Sequence, residues 1–291
     1  MDSWLIYAFV STVLTSAAAL TTKKTLLKEH AMEFSTVLAI LVLIVSLPLF
    51  LIIDYTKITL IQIVITFFSS ILAAIAFLFI AKAVRHMEIT DSTPLLALGP
   101  GVTAVLAFIF LGEALTMFQT TGILLLIIGA FILETKSAFN LFSSIKNFKK
   151  SKYIHYIFIS IILYAVTSIL DRLLLFNLDM QPEAMIAITH VFIVISFIIM
   201  IHIFHDGFKG INNGLKRAGW LIFLVAVFTL GYRLTYAQAV KITSVALVSS
   251  IRRISTLFTI VIGGEMFHEG RMVRKILASI IMIIGAVLII L

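Results

Sequence analysis

The chain has no cysteine, two tryptophans and four prolines in 291 residues, and only 12% of its residues are charged. Without cysteine there are no disulfides, thiol nucleophiles or iron–sulfur ligands, so no redox role is indicated. The shortage of charge excludes more. Soluble domains carry about 25% charged residues, and a chain that is 61% hydrophobic cannot clothe a water-soluble globule in polar surface. Catalytic signatures are missing as well. There is no HExxH, no GxSxG, no phosphate-cradling P-loop and no cluster of acids and histidines at metal-ligand spacing. An intramembrane enzyme and an ATP-driven pump therefore lack their chemistry, and no cofactor is implied.

What fills the chain instead is apolar sequence in stretches of about twenty residues, the length that spans a bilayer of about 30 Å as a helix. Spans are predicted at roughly 3–23, 33–53, 60–82, 93–111, 117–134, 153–174, 183–204, 217–240, 243–262 and 271–290. Runs such as Thr36–Ile53 and Val191–Ile201 lack two-residue alternation, so the fold class is all-α and polytopic, with ten transmembrane helices. Met1-Asp2-Ser3-Trp4 offers no basic signal-peptide region, and the first span is expected to be a retained helix. The formal charge of +8 is met by anionic lipid head groups around basic loops, not by nucleic acid.

One polar interval, 136–152, holds Lys136, Lys146, Lys149, Lys150 and Lys152 and divides the chain into five-span halves, 1–135 and 153–291. Leu141, Phe142 and Ile145 among these lysines fit either a short amphipathic helix on an anionic leaflet or a solvated connector. The halves echo one another at an offset of 156 residues. Ala81-Lys82-Ala83-Val84-Arg85 meets Ala237-Gln238-Ala239-Val240-Lys241, Glu113 meets Glu269, and Ile127-Ile128-Gly129-Ala130 meets Ile283-Ile284-Gly285-Ala286. An odd number of spans per half makes equivalent helices run in opposite directions, which gives two inverted repeats.

Thr93-Pro94-Leu95-Leu96-Ala97-Leu98-Gly99-Pro100, then Phe110-Leu111-Gly112-Glu113, Gly122 and Ile128-Gly129, resembles the fourth and fifth helices of the drug/metabolite transporter superfamily, EamA type. The second half resembles the same pattern more weakly: Glu269 matches the family glutamate, but His268 replaces the glycine before it and Ala278 stands where the first half has Gly122. The resemblance implies a ten-helix carrier of small metabolites that works by alternating access.

Lys and Arg number sixteen in the odd-numbered connections and three in the even-numbered ones. The positive-inside rule then places both termini outside the cytoplasm, whereas the resemblance implies cytoplasmic termini. Charge is taken as the guide, and a prokaryotic cell membrane is the expected location.

Polar stripes mark the candidate site. In the ninth span Ser249, Arg252, Arg253, Thr256 and Thr259 share a face. An arginine near the bilayer centre costs at least about 2.5–3.5 kcal/mol, so the pair either faces a cavity and its anion or snorkels to an interface. The sixth span aligns Tyr164, Thr167, Ser168 and Asp171, with Arg172 at the edge. Asp171 reads as a structural counter-ion or a proton site. The eighth aligns Thr229, Tyr232, Arg233 and Tyr236. Lys23, Lys82 and Asp91 are gate candidates, and His190 is either a satisfied core residue or a proton relay. Thr12, Thr15, Ser16, Ala19 and Lys23 form a small polar stripe of the type that either packs closely on another helix or lines a cavity, and packing is the safer reading. Thr93 followed by Pro94 reads as N-cap and first residue of the fourth span, and Gly99-Pro100-Gly101 reads as a broken helix at a substrate site or a packing kink. Four arginines against one aspartate favour an anionic or zwitterionic metabolite, such as an amino acid or organic acid. The leading reading is a secondary transporter, monomeric or homodimeric, with proton coupling open. A channel or lipid scramblase is the alternative, with an intramembrane enzyme behind it.

Overall fold

The computed structural model describes residues 3–111, 116–134, 151–242 and 245–290, which are helical with no β-strand among the described residues. Lipid explains the choice, because a backbone group facing hydrocarbon has no water to bond and a helix satisfies its own N–H and C=O groups. In chain order the helices are α1 (Ser3–Leu26), α2 (Ala31–Ser46), α3 (Leu60–His86), α4 (Ile89–Leu96), α5 (Gly99–Leu111), α6 (Met117–Glu134), α7 (Lys152–Arg172), α8 (Pro182–Phe204), α9 (Gly207–Ile242), α10 (Val245–Met266) and α11 (Met272–Ile290). Seven of these helical units are long and apolar enough to cross a membrane. They are α1, α2 extended to Leu51, α3, α7 extended to Leu175, α8, α9 over Gly207–Tyr236, and α11. The predicted fourth, fifth and ninth spans are met by the interrupted pair α4/α5 and by α6 and α10, whose apolar parts, Met117–Gly129 and Ile254–Met266, are shorter. Leu141, Phe142 and Ile145 of the basic linker lie outside the described residues.

Local chemistry sets several of the ends. Thr59 and Gln62 close a capping box at the start of α3, with Thr59 N–H donating to Gln62 Oε1 at 2.9 Å. Gln62 Nε2 also donates to the Leu178 carbonyl at 2.8 Å, which ties this end to the α7–α8 connection. Pro48 turns the end of the second span into a 3-10 segment, Leu47–Leu51.

Two sequence-based expectations need correction. The fourth span does not start at Thr93. It starts at Ile89, with Pro94 inside the helix. The cause is tertiary: Glu269, between α10 and α11, accepts from the backbone N–H of Ile89 at 2.8 Å and of Thr90 at 2.9 Å, and so caps the helix from 180 residues away. The break falls at Ala97–Leu98, just before Gly99-Pro100-Gly101. Gly210-Ile211-Asn212-Asn213-Gly214, by its sequence a polar connection, is helical and forms the first part of α9, which is two helices joined at a kink at the non-helical Ala218.

The helices lock together through small residues. A Cβ on Gly122 would lie 2.5 Å from the Gly285 carbonyl oxygen, and one on Gly129 would lie 2.9 Å from that of Ala278. No side chain fits either place. The contacts 122·285 and 129·278 run in opposite senses, so α6 and α11 are antiparallel, and the 156-residue offset exchanges one contact for the other. On the other side, Thr12 and Ser16 of α1 donate to the carbonyls of Ile251 (3.3 Å) and Ser255 (3.0 Å), which makes the small polar stripe of the first helix a packing seam against α10. Phe34, Phe197 and Ile222 are fully buried in the largest apolar cluster, formed by α2, α3, α8 and α9.

Candidate functional site

Beside that cluster lies a cavity of about 280 Å³, walled by α2, α3, α7, α8 and α9. Its size is near the lower end of the roughly 300–1,000 Å³ typical of pockets for drug-sized ligands, which suits a small metabolite. α7 contributes its whole polar stripe, Tyr164, Thr167, Ser168 and Asp171, because 3.6-residue periodicity puts these positions on one face. Thr229 and Arg233 enter from α9, Ser69 from α3, Ser35 from α2, and Thr189 and His190 from α8. Leu38, Val42, Phe77, Ile193 and Phe197 supply an apolar wall.

The charged groups are held apart. Asp171 Oδ1 accepts a hydrogen bond from Ser69 Oγ at 3.1 Å. His190 Nδ1 is 2.6 Å from the Ile186 carbonyl and must carry the proton to donate there, which leaves Nε2 as an acceptor for Arg233 Nη1 at 3.4 Å. A neutral imidazole thus orients the guanidinium without neutralising it. No ion pair joins Asp171 to Arg233 among the described residues. One small chamber therefore presents a carboxylate on α7 and a guanidinium on α9, each positioned by a neutral neighbour.

A second polar assembly closes the end of the molecule where the odd-numbered connections lie. Lys275, at the start of α11 and 3% exposed, binds Glu88, Asp91 Oδ1 at 3.1 Å and Thr90 Oγ1 at 2.6 Å. Glu269 grips the same turn by accepting the backbone N–H groups of Ile89 and Thr90 and the Thr90 hydroxyl. Lys23, 5% exposed at the end of α1, donates to the Val84 carbonyl at 2.7 Å and to the Met87 carbonyl, where the last turn of α3 leaves acceptors unfilled. The first half is thereby clasped by the second through one lysine and one glutamate.

The EamA-like transporter family matches residues 2–135 and 151–291, nearly the whole chain and each half separately. The chain belongs to that family. It is an integral membrane transporter of the drug/metabolite type, and its family is not one of enzymes. No curated protein is a significant match. Among solved structures, one crystal structure of a protein shares the fold at a TM-score of 0.55 and 13% identity, over 99% of this chain and 96% of that one.

Of the residues predicted for the site, this EamA-family transporter brings Tyr164, Asp171, His190 and Arg233 into one cavity. Arg252, Tyr232, Tyr236 and Thr256 are not among its lining residues. Arg252 stacks its guanidinium on the Tyr236 ring, 4.4 Å from the centroid, an arrangement that offsets desolvation without a substrate. Thr256 is buried at 7% exposure. The side chains of Arg172, Ser249 and Arg253 lie outside the described set. Lys82 sits 6.0 Å from the ring centroids of Phe79 and of Tyr156 and takes no part in the clasp, whereas Lys23 and Asp91 belong to it. Sequence reading missed Ser69, Ser35 and Thr189 in the cavity and Lys275, Glu88 and Glu269 in the clasp. Hydroxyls within the very apolar α2, α3 and α8 were the available signal for the first three.

Proposed function

We propose that the chain is a secondary carrier of small zwitterionic α-amino acids with apolar side chains, built as ten spans in two inverted five-helix repeats and working by alternating access. The observation that carries the reading is the unpaired placement of Asp171 and Arg233 in one cavity: an ammonium suits the first, a carboxylate the second, and the Phe77–Phe197 wall takes an apolar side chain. A zwitterion neutralises both charges at once, whereas a simple anion leaves Asp171 in lipid without its counter-charge. The clasp at Lys275 supports a two-state carrier over an open pore, because it seals one end with contacts that can break when that end opens.

A thermal-shift screen of the purified protein against amino acids, their amides and organic acids tests the reading. Leucine- or phenylalanine-like zwitterions are expected to raise the melting temperature by mass action, while amides and plain carboxylic acids do so far less. Stabilisation by organic acids alone would refute the zwitterion assignment. In proteoliposomes, uptake of the same compound should saturate and be stimulated by substrate on the opposite face; a strictly linear flux without that stimulation marks a channel or scramblase.

Orientation follows the charge count, so the clasped end is cytoplasmic and both termini are extracytoplasmic. Terminal fusions to a reporter that works only outside the cytoplasm should be active. Activity of a cytoplasm-only reporter at both ends would overturn the assignment.

A further inference from the structure

Leaving α1, the chain turns through Glu29 and His30 before α2 begins. His30 caps α2, its Nδ1 accepting the Met32 N–H at 3.3 Å, and this places Glu33 in the first helical turn, where its charge acts on Glu29. Both carboxylates are buried, Glu29 at 0% and Glu33 at 4% exposure. The start of α9 lies over them, where Gly210 and Gly214 have no side chains to hold it off: a Cβ on Gly214 would already lie 3.5 Å from Glu33 Cβ. Glu33 Oε1 lies 3.4 Å from His205 Nε2. Among the described residues, Glu29 Oε1, Glu29 Oε2 and Glu33 Oε2 have no hydrogen-bond partner.

Three of four carboxylate oxygens buried without a donor is a costly arrangement if both groups are ionised. One proton relieves most of it, because a protonated carboxyl becomes an O–H donor to its neighbour and two of the three oxygens then share a hydrogen bond. We infer that Glu29 and Glu33 form a carboxyl–carboxylate pair that binds a single proton at the clasped end of the transporter, and that this pair is its proton-coupling site. The coupling role, though not the proton binding, rests on the carrier reading above.

The surroundings are mixed in sign. On Glu29, burial and then Glu33 raise the affinity for a proton, while Arg217 of α9 and Arg85 of α3 oppose it, so the carboxyl sits above the ordinary glutamate range. The His30 ring stacks on His205 at 4.4 Å, and burial, His205, Arg85 and Lys82 hold it below the ordinary histidine range against the pull of Glu33. The His30 ring, held below its ordinary range, brings no counter-cation to the pair, whereas His205, with Nε2 3.4 Å from Glu33 Oε1, is one only when its ring is protonated. Because α9 covers the pair through its glycine face, loading and release of the proton are tied to the packing of α9 on α2.

The test uses the full-length purified protein with ¹³C-labelled glutamate and no substrate, so its outcome does not depend on which compound is carried. Infrared titration should show a protonated glutamate band that survives above the ordinary glutamate range of about 4.3 and is missing from Glu29→Gln and from Glu33→Gln. Thermal stability supplies a second reading. A carboxyl with a raised folded pKa contributes stability that is full below the unfolded pKa and is lost as pH rises through the folded one. The wild type should therefore lose melting temperature over that interval, and Glu29→Gln should flatten the loss. The proposal is overturned if every labelled glutamate of the wild type titrates in the ordinary range, or if sodium at fixed pH, and not pH itself, shifts the melting temperature. Leucine exchange at equal pH, retained in Glu29→Gln while its drive by a pH gradient disappears, is the expected transport result; a gradient-driven uptake unchanged in that variant refutes the coupling role even where the proton is bound.

Discussion

Arg233→Gln should lower the affinity for a zwitterionic substrate by well over tenfold and leave the amount of folded protein nearly unchanged. Losing a charge-assisted contact to a bound carboxylate costs a few kcal/mol, and each 1.4 kcal/mol is about tenfold. The folded state is spared because Arg233 makes no ion pair with Asp171, and its neighbour His190 keeps the bond to the Ile186 carbonyl when the guanidinium is gone. Asp171→Asn should act on the other end of the ligand: it weakens amino acids strongly and their des-amino analogues hardly at all. Arg252→Gln is the internal control, since that side chain rests on Tyr236 away from the cavity lining. Binding measured by calorimetry across these three variants decides the matter. An Arg252→Gln defect as large as that of Arg233→Gln would move the anion site to α10.

Lys275→Met is expected to open the clasped end. The lysine holds Glu88, Asp91 and Thr90 together across the two halves, so its loss leaves two carboxylates facing each other with no cation between them. Breaking a buried pair by removing one partner costs about 3–5 kcal/mol; with Glu88 half exposed, the smaller end of that range applies. Even about 1.4 kcal/mol moves a two-state population tenfold. The chain has no cysteine, so a single one placed at Ser35, a cavity residue on α2, needs no altered background. A membrane-impermeant thiol reagent applied at the clasped end should label it at least tenfold faster in Lys275→Met than in the parent. Equal labelling rates would mean that the assembly is structural and does not gate.

The helical spans were legible because lipid demands long apolar runs, and that demand is written in composition. The α7 stripe was legible for a related reason: four polar residues at helical spacing in an apolar segment leave few places to point. Periodicity does not say what a wet face meets, however. The stripes of α1 and α7 look alike in sequence, yet Thr12 and Ser16 bond to a neighbouring helix, while Tyr164 and Asp171 line a cavity. The start of α4 was not legible, because its cap comes from Glu269 in the other half, and no local pattern announces a partner 180 residues away. Arg252 was read as a substrate contact because its cost in lipid demands a partner; the Tyr236 ring meets the same demand.

The lysine arm of the clasp has no charged twin, although its glutamate arm keeps one in Glu113, which stands where Glu269 does. At the 156-residue offset, Ser244, Ala246, Leu247 and Gln119 stand where Glu88, Thr90, Asp91 and Lys275 form it, and Gln119 is occupied in capping its own helix at Thr116. A duplicated machine with equal halves would idle equally in both poses, but this one carries an ionic bias toward one of them. Apparent affinity is the intrinsic affinity scaled by the fraction of molecules in the competent pose. The same cavity, with no change in any contact to its ligand, should thus bind tightly when approached from the unclasped face and weakly from the clasped one. A difference in half-saturation between the two faces would then be a property of the doorway and not of the room.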